Sequence, residues 1–265
     1  MTETTMSAVG PGYLPPEIHD SVVDLLHNQP KTLKQCCLVS KSWVPRTRKH
    51  LFGIITIRTG RSLEAWKRTF PNPANSPAYH THHLFIYCLH AVKTGDAEVG
   101  GWIRTFCNVV ELFLRSGVGP DDREISLVPF HNFSPVLKSL RIIIRSIPRS
   151  RTLELACSFP LLEDLFVGDG GNGSDLGQGG FEPSTSPALT GTLDLNLQRG
   201  MEHIVRLLLS LPNGLHFWKL ICESEVEEDD SWMIALVEAC CDTLECVDVQ
   251  VWHGAFLRIL RWDQG

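Results

Sequence analysis

The sequence predicts an α/β chain in which a small helical head precedes a repeating strand-and-helix array built on a parallel sheet. Three observations predict it. A spacing of one apolar residue, two others, an apolar residue, one other and a third apolar residue recurs along the chain; its copies fall at near-regular steps; and amphipathic helical stripes fill the intervals. The clear copies are Val109/Leu112/Leu114, Leu137/Leu140/Ile142, Leu162/Leu165/Val167, Leu215/Trp218/Leu220 and Leu244/Val247/Val249, with weaker ones at Thr81/Leu84/Ile86 and Thr190/Leu193/Leu195. Their middle anchors are 28, 28, 25, 28, 25 and 29 residues apart, a step that random clustering of leucine would not keep.

Each copy alternates with a period of two, which is the signature of a short strand with one buried face. Between copies, Leu153, Ala156 and Phe159 mark a helix over 149–159, Met201, Ile204, Val205, Leu208 and Leu209 a second, and Trp232, Leu236, Ala239 and Cys240 a third behind a Ser231 cap. Strand then helix at this step describes stacked units, each burying its apolar face against its neighbours. Two stretches read as exposed loops: Pro71 to Pro77, and a Gly/Ser/Pro-rich insertion over about 168–187. The chain reaches Gly265 soon after the last copy; without a cap this leaves an apolar edge, for which a truncated gene model and a covering partner are the two readings.

The head spans residues 13–52, after a stretch at 1–12 expected to be disordered. Pro15 and Pro16 set the backbone where a helix can begin, and Ile18, Val22, Leu25 and Leu26 recur as one stripe behind them. Pro30 breaks that pattern; Thr32 is the expected cap of a second helix carrying Leu33, Cys36, Cys37 and Val39. Ser40 or Ser42 caps a third, with Trp43 facing inward and Pro45 still in the first turn, where a missing N–H costs least. Three helices in about 40 residues bury too little surface to stand comfortably alone, so this head is expected to lean on a partner or on the rest of the chain.

The segment opening Leu14-Pro15-Pro16-Glu17-Ile18, with central Leu33 and Cys36 and closing Leu38-Val39-Ser40-Lys41-Ser42-Trp43, resembles an F-box, in the style of the large families of mushroom-forming fungi. F-boxes dock adaptor proteins onto the Skp subunit of SCF-type ubiquitin ligases. The resemblance implies that Leu14, Pro15, Ile18, Val22, Leu33, Leu38, Val39 and Trp43 lie at or beneath an adaptor-binding surface. The remainder, 53–265, resembles the irregular leucine-rich repeats often found behind F-boxes, which implies an α/β solenoid with a parallel sheet. The asparagine or cysteine that usually follows the repeat strand is missing from most copies. In such a repeat the residue between the last two anchors faces the binding side, here Phe113, Arg141, Phe166, Asp194, Lys219 and Asp248. The expected partners are a Skp-type adaptor, through it a cullin, and a protein substrate whose identity the mixed side chains do not reveal. The rival expectation is a leucine-rich-repeat scaffold with no ubiquitin-ligase role.

Composition narrows the classes. Hydrophobic residues make up 43% of 265, enough for a sizeable core. The net charge is -6, which works against general affinity for nucleic-acid phosphates. No basic start or apolar run marks a secretory signal, and no stretch approaches the roughly 18 apolar residues of a membrane span, so a cytoplasmic or nuclear setting is expected. Nine cysteines without C-x-x-C spacing read as free thiols, and the two glycosylation sequons as chance matches. Eight basic residues from Lys31 to Arg61, with no acidic one between Asp24 and Glu64, read either as a solvated face or as steering toward an acidic partner.

Catalytic and cofactor chemistry has no visible foothold. Gly168 to Gly173 matches G-x-G-x-x-G after a predicted strand, but no helix N-terminus follows to present N–H groups to a phosphate. His80, His82, His83 and His90 gather near the first weak strand without the ligands that would complete a metal site. The acidic run from Glu223 to Asp230 reads as a solvated loop. The sequence therefore predicts a binding protein with neither cofactor nor enzymatic activity.

Overall fold

A computed structural model describes residues 15–89, 97–116, 125–143, 148–168, 187–197, 201–225, 231–253 and 256–263. The chain is α/β, with eight α-helices and a nine-stranded, mostly parallel open sheet among the described residues. It divides into two compact units, Met1–Gly53 and Ile54–Gly265.

The first unit holds α1 (Pro16–Leu25), α2 (Pro30–Val39) and α3 (Val44–Leu51). Each opens with a proline in its first turn, where the fixed φ suits the helix and the absent N–H would have had no intrahelical acceptor. Pro30 therefore starts α2 rather than merely breaking α1. Thr32 sits inside the helix instead of capping it, its hydroxyl donating to Gln29 Oε1 at 3.2 Å. Ser40 does act as a cap, on a 3-10 turn at Lys41–Trp43, by accepting from the Ser42 N–H. The interior is small: Val23, Leu33, Cys36 and Thr47 are buried. Most of the apolar stripe of α1 is turned away from this interior. Val23 supplies the contact, while Ile18, Val22 and Leu25 are exposed.

A polar tie joins α1 to α3. Arg46 grips Asp24 with two N–H groups, one of them Nε to Oδ1 at 2.6 Å, and His50 Nε2 lies 2.8 Å from the same Oδ1. These hydrogen bonds, from Arg46 first and His50 second, hold the Asp24 carboxyl well below the usual carboxylate range.

The second unit is one sheet whose strands follow chain order: β1 (Ile54–Ile57), β2 (His83–Ile86), β3 (Glu111–Arg115), β4 (Ser139–Ile143), β5 (Asp164–Gly168), β6 (Leu189–Leu197), β7 (Leu215–Glu225), β8 (Cys246–His253) and β9 (Phe256–Asp263). β1 to β8 run parallel and β9 returns antiparallel along β8. Among the described residues the connections carry α4 (Gly60–Thr69), α5 (Ala97–Ile103), α6 (Arg149–Cys157), α7 (Met201–Leu209) and α8 (Ser231–Cys240). All seven predicted copies are strands. β1, β9, α4 and α5 were not anticipated, because β1 and β9 lie outside the repeat spacing.

The anchors stack in register. Leu84, Leu112, Leu140, Leu165, Leu193 and Leu220 form one buried row, and Ile86, Leu114, Ile142, Val167, Leu195 and Cys222 the next. Each such leucine, removed from water, contributes roughly 1.5–3 kcal/mol, so the rows form a continuous core. The interval between β3 and β4 carries a 3-10 turn at Val128–Phe130. There Phe130 and Phe133 fill the layer, and Phe133 meets Phe159 edge-on, with ring centroids 6.0 Å apart. Carbonyls at the strand entrances repeat too: His82 O, Val110 O and Lys138 O each accept two N–H groups from the following unit.

One expected anchor is wrong. Trp218 is 44% exposed, and Leu220 takes the middle position opposite Leu193 and Val247. The register between β6 and β7 shifts at Gly191/Thr192: Gly191 pairs with Phe217 and Thr192 with Lys219, leaving Trp218 as an extra residue. A bulge of one residue swaps the faces of everything beyond it. Leu215 and Phe217 are thus buried before the bulge, and Leu220 and Cys222 after it. Corrected for this, the anchor steps are 28, 28, 25, 28, 27 and 27. Gly191 itself has φ +91°, and a Cβ there would lie 1.7 Å from Glu163 O, so only glycine fits.

Candidate functional site

In the first unit, the residues singled out by the F-box resemblance fall into two sets. Leu33 is buried beneath the surface, at 1% exposure, and Trp43 is half-buried against the His19 ring, centroids 5.5 Å apart. Pro15, Ile18, Val22, Leu38 and Val39 are exposed, Leu38 at 86% and Val39 at 69%. Leu14 lies outside the described residues. Leu25, which periodicity places in one stripe with Ile18 and Val22 but which is absent from the candidate set, is 80% exposed. Three helices of 10, 10 and 8 residues thus leave much of their apolar side chain area in water. Where such side chains adjoin, an exposed apolar patch is usual at a protein-binding surface.

In the second unit, strand alternation turns every other side chain to the face opposite the leucine rows. Its central row runs Thr56, Phe85, Phe113, Arg141, Phe166, Asp194, Ile221 and Asp248 in register. Five of the six predicted facing residues therefore lie in one row, with Ile221 between Asp194 and Asp248. Lys219 shares the face but sits one step earlier, opposite Thr192 and Cys246, because the bulge shifts β7; Ile221 takes the place expected for it.

The row is chemically divided. Toward β1, aromatic rings gather: Phe113 lies 6.0 Å from Phe85 and 5.1 Å from Tyr87, centroid to centroid. Phe85 and Tyr87 escaped sequence reasoning because their strand carries the weakest anchors, and alternation from Leu84 was the available signal. At the centre, the Arg141 guanidinium lies over the Phe166 ring, 4.6 Å from its centroid. Toward β8, carboxylates take over. Burial pushes the Asp194 carboxyl up to about 6; Arg141 pulls it back, Glu223 adds to the rise and Lys219 opposes it. Asn196 donates to Glu223 Oε2 at 2.6 Å, and Arg261 Nε lies 3.3 Å from Asp248 Oδ2. An open hollow of roughly 170 Å³ lies over β4 to β6, lined by Ser139, Arg141, Asp164, Phe166, Thr192 and Asp194.

The other motifs do not assemble into sites. His83 Nδ1 pairs with Glu111 Oε2 at 2.8 Å, and His80 belongs to a 3-10 turn at Pro77–His80 rather than to the strand, stacking on Tyr79. His90 and the glycine-rich stretch beyond Gly168 lie outside the described residues, as do residues 226–230 of the acidic run. Among the described residues, no group of three or more His, Cys, Asp or Glu is placed to hold a metal ion, and no helix is long and apolar enough to cross a membrane. A scan with protein-family models matches none to this chain, and a search of curated proteins finds no match.

Proposed function

We propose that this chain is a substrate-receptor subunit of an SCF-type ubiquitin ligase. Its F-box-like head docks a Skp adaptor and, through it, a cullin; its leucine-rich-repeat-like solenoid holds the protein to be modified. The chain itself performs no chemistry. It works by proximity, holding a target lysine near a charged conjugating enzyme so that transfer becomes effectively intramolecular.

The observation that carries this reading is the exposure of the resemblance's own apolar residues. Ile18, Leu38 and Val39 face water while Leu33 lies in the interior. Burying exposed apolar area on a partner releases about 25 cal/mol per Å², enough to reward docking of a head whose own core is small. The basic run from Lys31 to Arg61 fits electrostatic steering toward an acidic adaptor surface.

The test is a pull-down of purified Skp adaptor by the full chain and by Leu38→Asp and Val39→Asp variants, with folding followed by circular dichroism. Both side chains are exposed, so the variants are expected to fold and to lose the adaptor. Capture by the variants as strong as by the parent, or no capture by the folded parent, contradicts the proposal; the second result leaves the reading of a repeat scaffold without a ligase role.

A further inference from the structure

The sheet face opposite the leucine rows carries charge of different sign on its two halves. Beyond Phe166 it holds Asp194, Glu223 and Asp248. Within strands β1 to β4 the one carboxylate is Glu111, and His83 takes it up at 2.8 Å. The same half carries three exposed arginines, Arg58, Arg115 and Arg141. Arg141 is engaged: it stacks on Phe166, and its charge acts on Asp194. Arg58 and Arg115 form no ion pair or hydrogen bond with any of the described residues.

These two cations flank an exposed ring. Ile57 pairs with Ile86 and Ile86 with Leu114, so the next residues read Arg58, Tyr87 and Arg115 across three neighbouring strands. The Tyr87 N–H donates to Ile57 O at 2.8 Å, which carries the ladder one residue past the strand ends. Tyr87 is 36% exposed and sits 5.1 Å from Phe113, which at 9% exposure lies 6.0 Å from Phe85, centroid to centroid. A ring seated on other rings is ordered before anything binds, and tyrosine and arginine carry much of the energy of protein interfaces. Charge then selects the occupant. A guanidinium without an internal carboxylate recognises an external one through charge-assisted hydrogen bonds. A nucleic acid also offers anions and rings, but a phosphate backbone continuing along this face meets Asp194, Glu223 and Asp248, and the net charge of -6 opposes it. A short acidic protein segment needs only the local cations.

We infer that the face of β1 to β3 is a docking surface for an acidic segment of a partner protein in which an aromatic side chain is flanked by carboxylates. The aromatic side chain packs on Tyr87, and the carboxylates on either side pair with Arg58 and Arg115. The carboxylate-bearing half of the sheet repels the same segment and so confines it to this half. This specifies the kind of target that the proposed receptor selects, and so it rests on that reading.

The experiment is a fluorescence-polarisation titration of the full chain with four labelled probes: a peptide with phenylalanine flanked by aspartates, the same peptide with alanine for phenylalanine, the same with lysines for aspartates, and oligouridylate. The first is expected to bind at least about tenfold more tightly than each of the others, and more weakly as salt screens the pairs. Arg115→Glu should weaken it about tenfold or more and strengthen binding of the lysine peptide, a gain that misfolding would not produce. Arg206→Glu, the same charge change on the exposed side of α7, should leave binding within about twofold. No binding of the acidic peptide by the parent, equal binding of acidic and lysine peptides, tighter binding of oligouridylate, or indifference to Arg115→Glu overturns the inference. Adaptor capture measured on the same samples separates the two ideas: retained capture with failed peptide binding removes only this surface, and the converse removes only the ligase reading.

Discussion

The two units treat apolar surface in opposite ways. In the sheet unit, each strand adds a leucine to a row that its neighbours close, and the buried side chains form one continuous core from Ile57 to Val249. In the head, four buried side chains among the described residues and one ion-paired carboxylate hold three short helices, while Ile18, Val22, Leu25, Leu38 and Val39 stay in water. Repetition is self-sufficient because every added unit buries the one before it; a single small layer is not. The head's exposed apolar surface is consequently the best reason to expect a partner there.

The largest disruption should come from Gly191→Ala. With positive φ and a backbone oxygen 1.7 Å from the added Cβ, β6 must move away from β5. A loss of about 3 kcal/mol or more is expected, measured by urea unfolding. Leu140→Ala removes the centre of a fully buried row and should cost about 2–5 kcal/mol by the same measurement. A tolerant Leu140 would break the picture of a continuous core. Leu33→Ala should also destabilise, by about 2 kcal/mol or more, but in the head. Here added adaptor is expected to restore part of the loss, since a partner that binds only the folded head stabilises it by mass action.

Titration sharpens the contrast further, with opposite signs. Asp24 has a lowered pKa, so its tie stabilises the head above the ordinary aspartate range near 4 and is lost as pH falls through its own lower value. Asp24→Asn should lower the melting midpoint of the head at neutral pH. Asp194 has a raised pKa, so the folded state holds its proton more tightly than the unfolded state and stability falls as pH rises from about 4 through about 6. Asp194→Asn should raise the melting midpoint at neutral pH and flatten that slope. Identical slopes in parent and variant would show that Asp194 is not desolvated in solution.

The strands were legible in the sequence because two-residue alternation and a step near 28 reinforce each other; each middle leucine from Leu84 to Leu193 lies where spacing placed it. Trp218 misled because a bulge inserts one residue without changing local hydrophobicity, and Leu220 restores the phase two positions later. Gly191 was the available sign, since glycine inside a strand often marks a bulge. In the head, helix existence was legible from the prolines and stripes. Which face is buried was not, because Ile18, Val22 and Val23 are equally apolar and only tertiary packing chooses Val23. Five residues of the facing row were legible, while Phe85 and Ile221 were not; the pairing of Arg141 with Phe166 and the burial of Asp194 depend on strands joined only in space.

Hydrogen–deuterium exchange of the full chain, alone and with purified Skp adaptor, tests the division between the units most directly. Protection gained in residues 18–43 with no change over the β1 to β8 strands is the expected result. Protection confined to the sheet, or no change in the head at saturating adaptor, would contradict the assignment of the exposed helical surface to a partner.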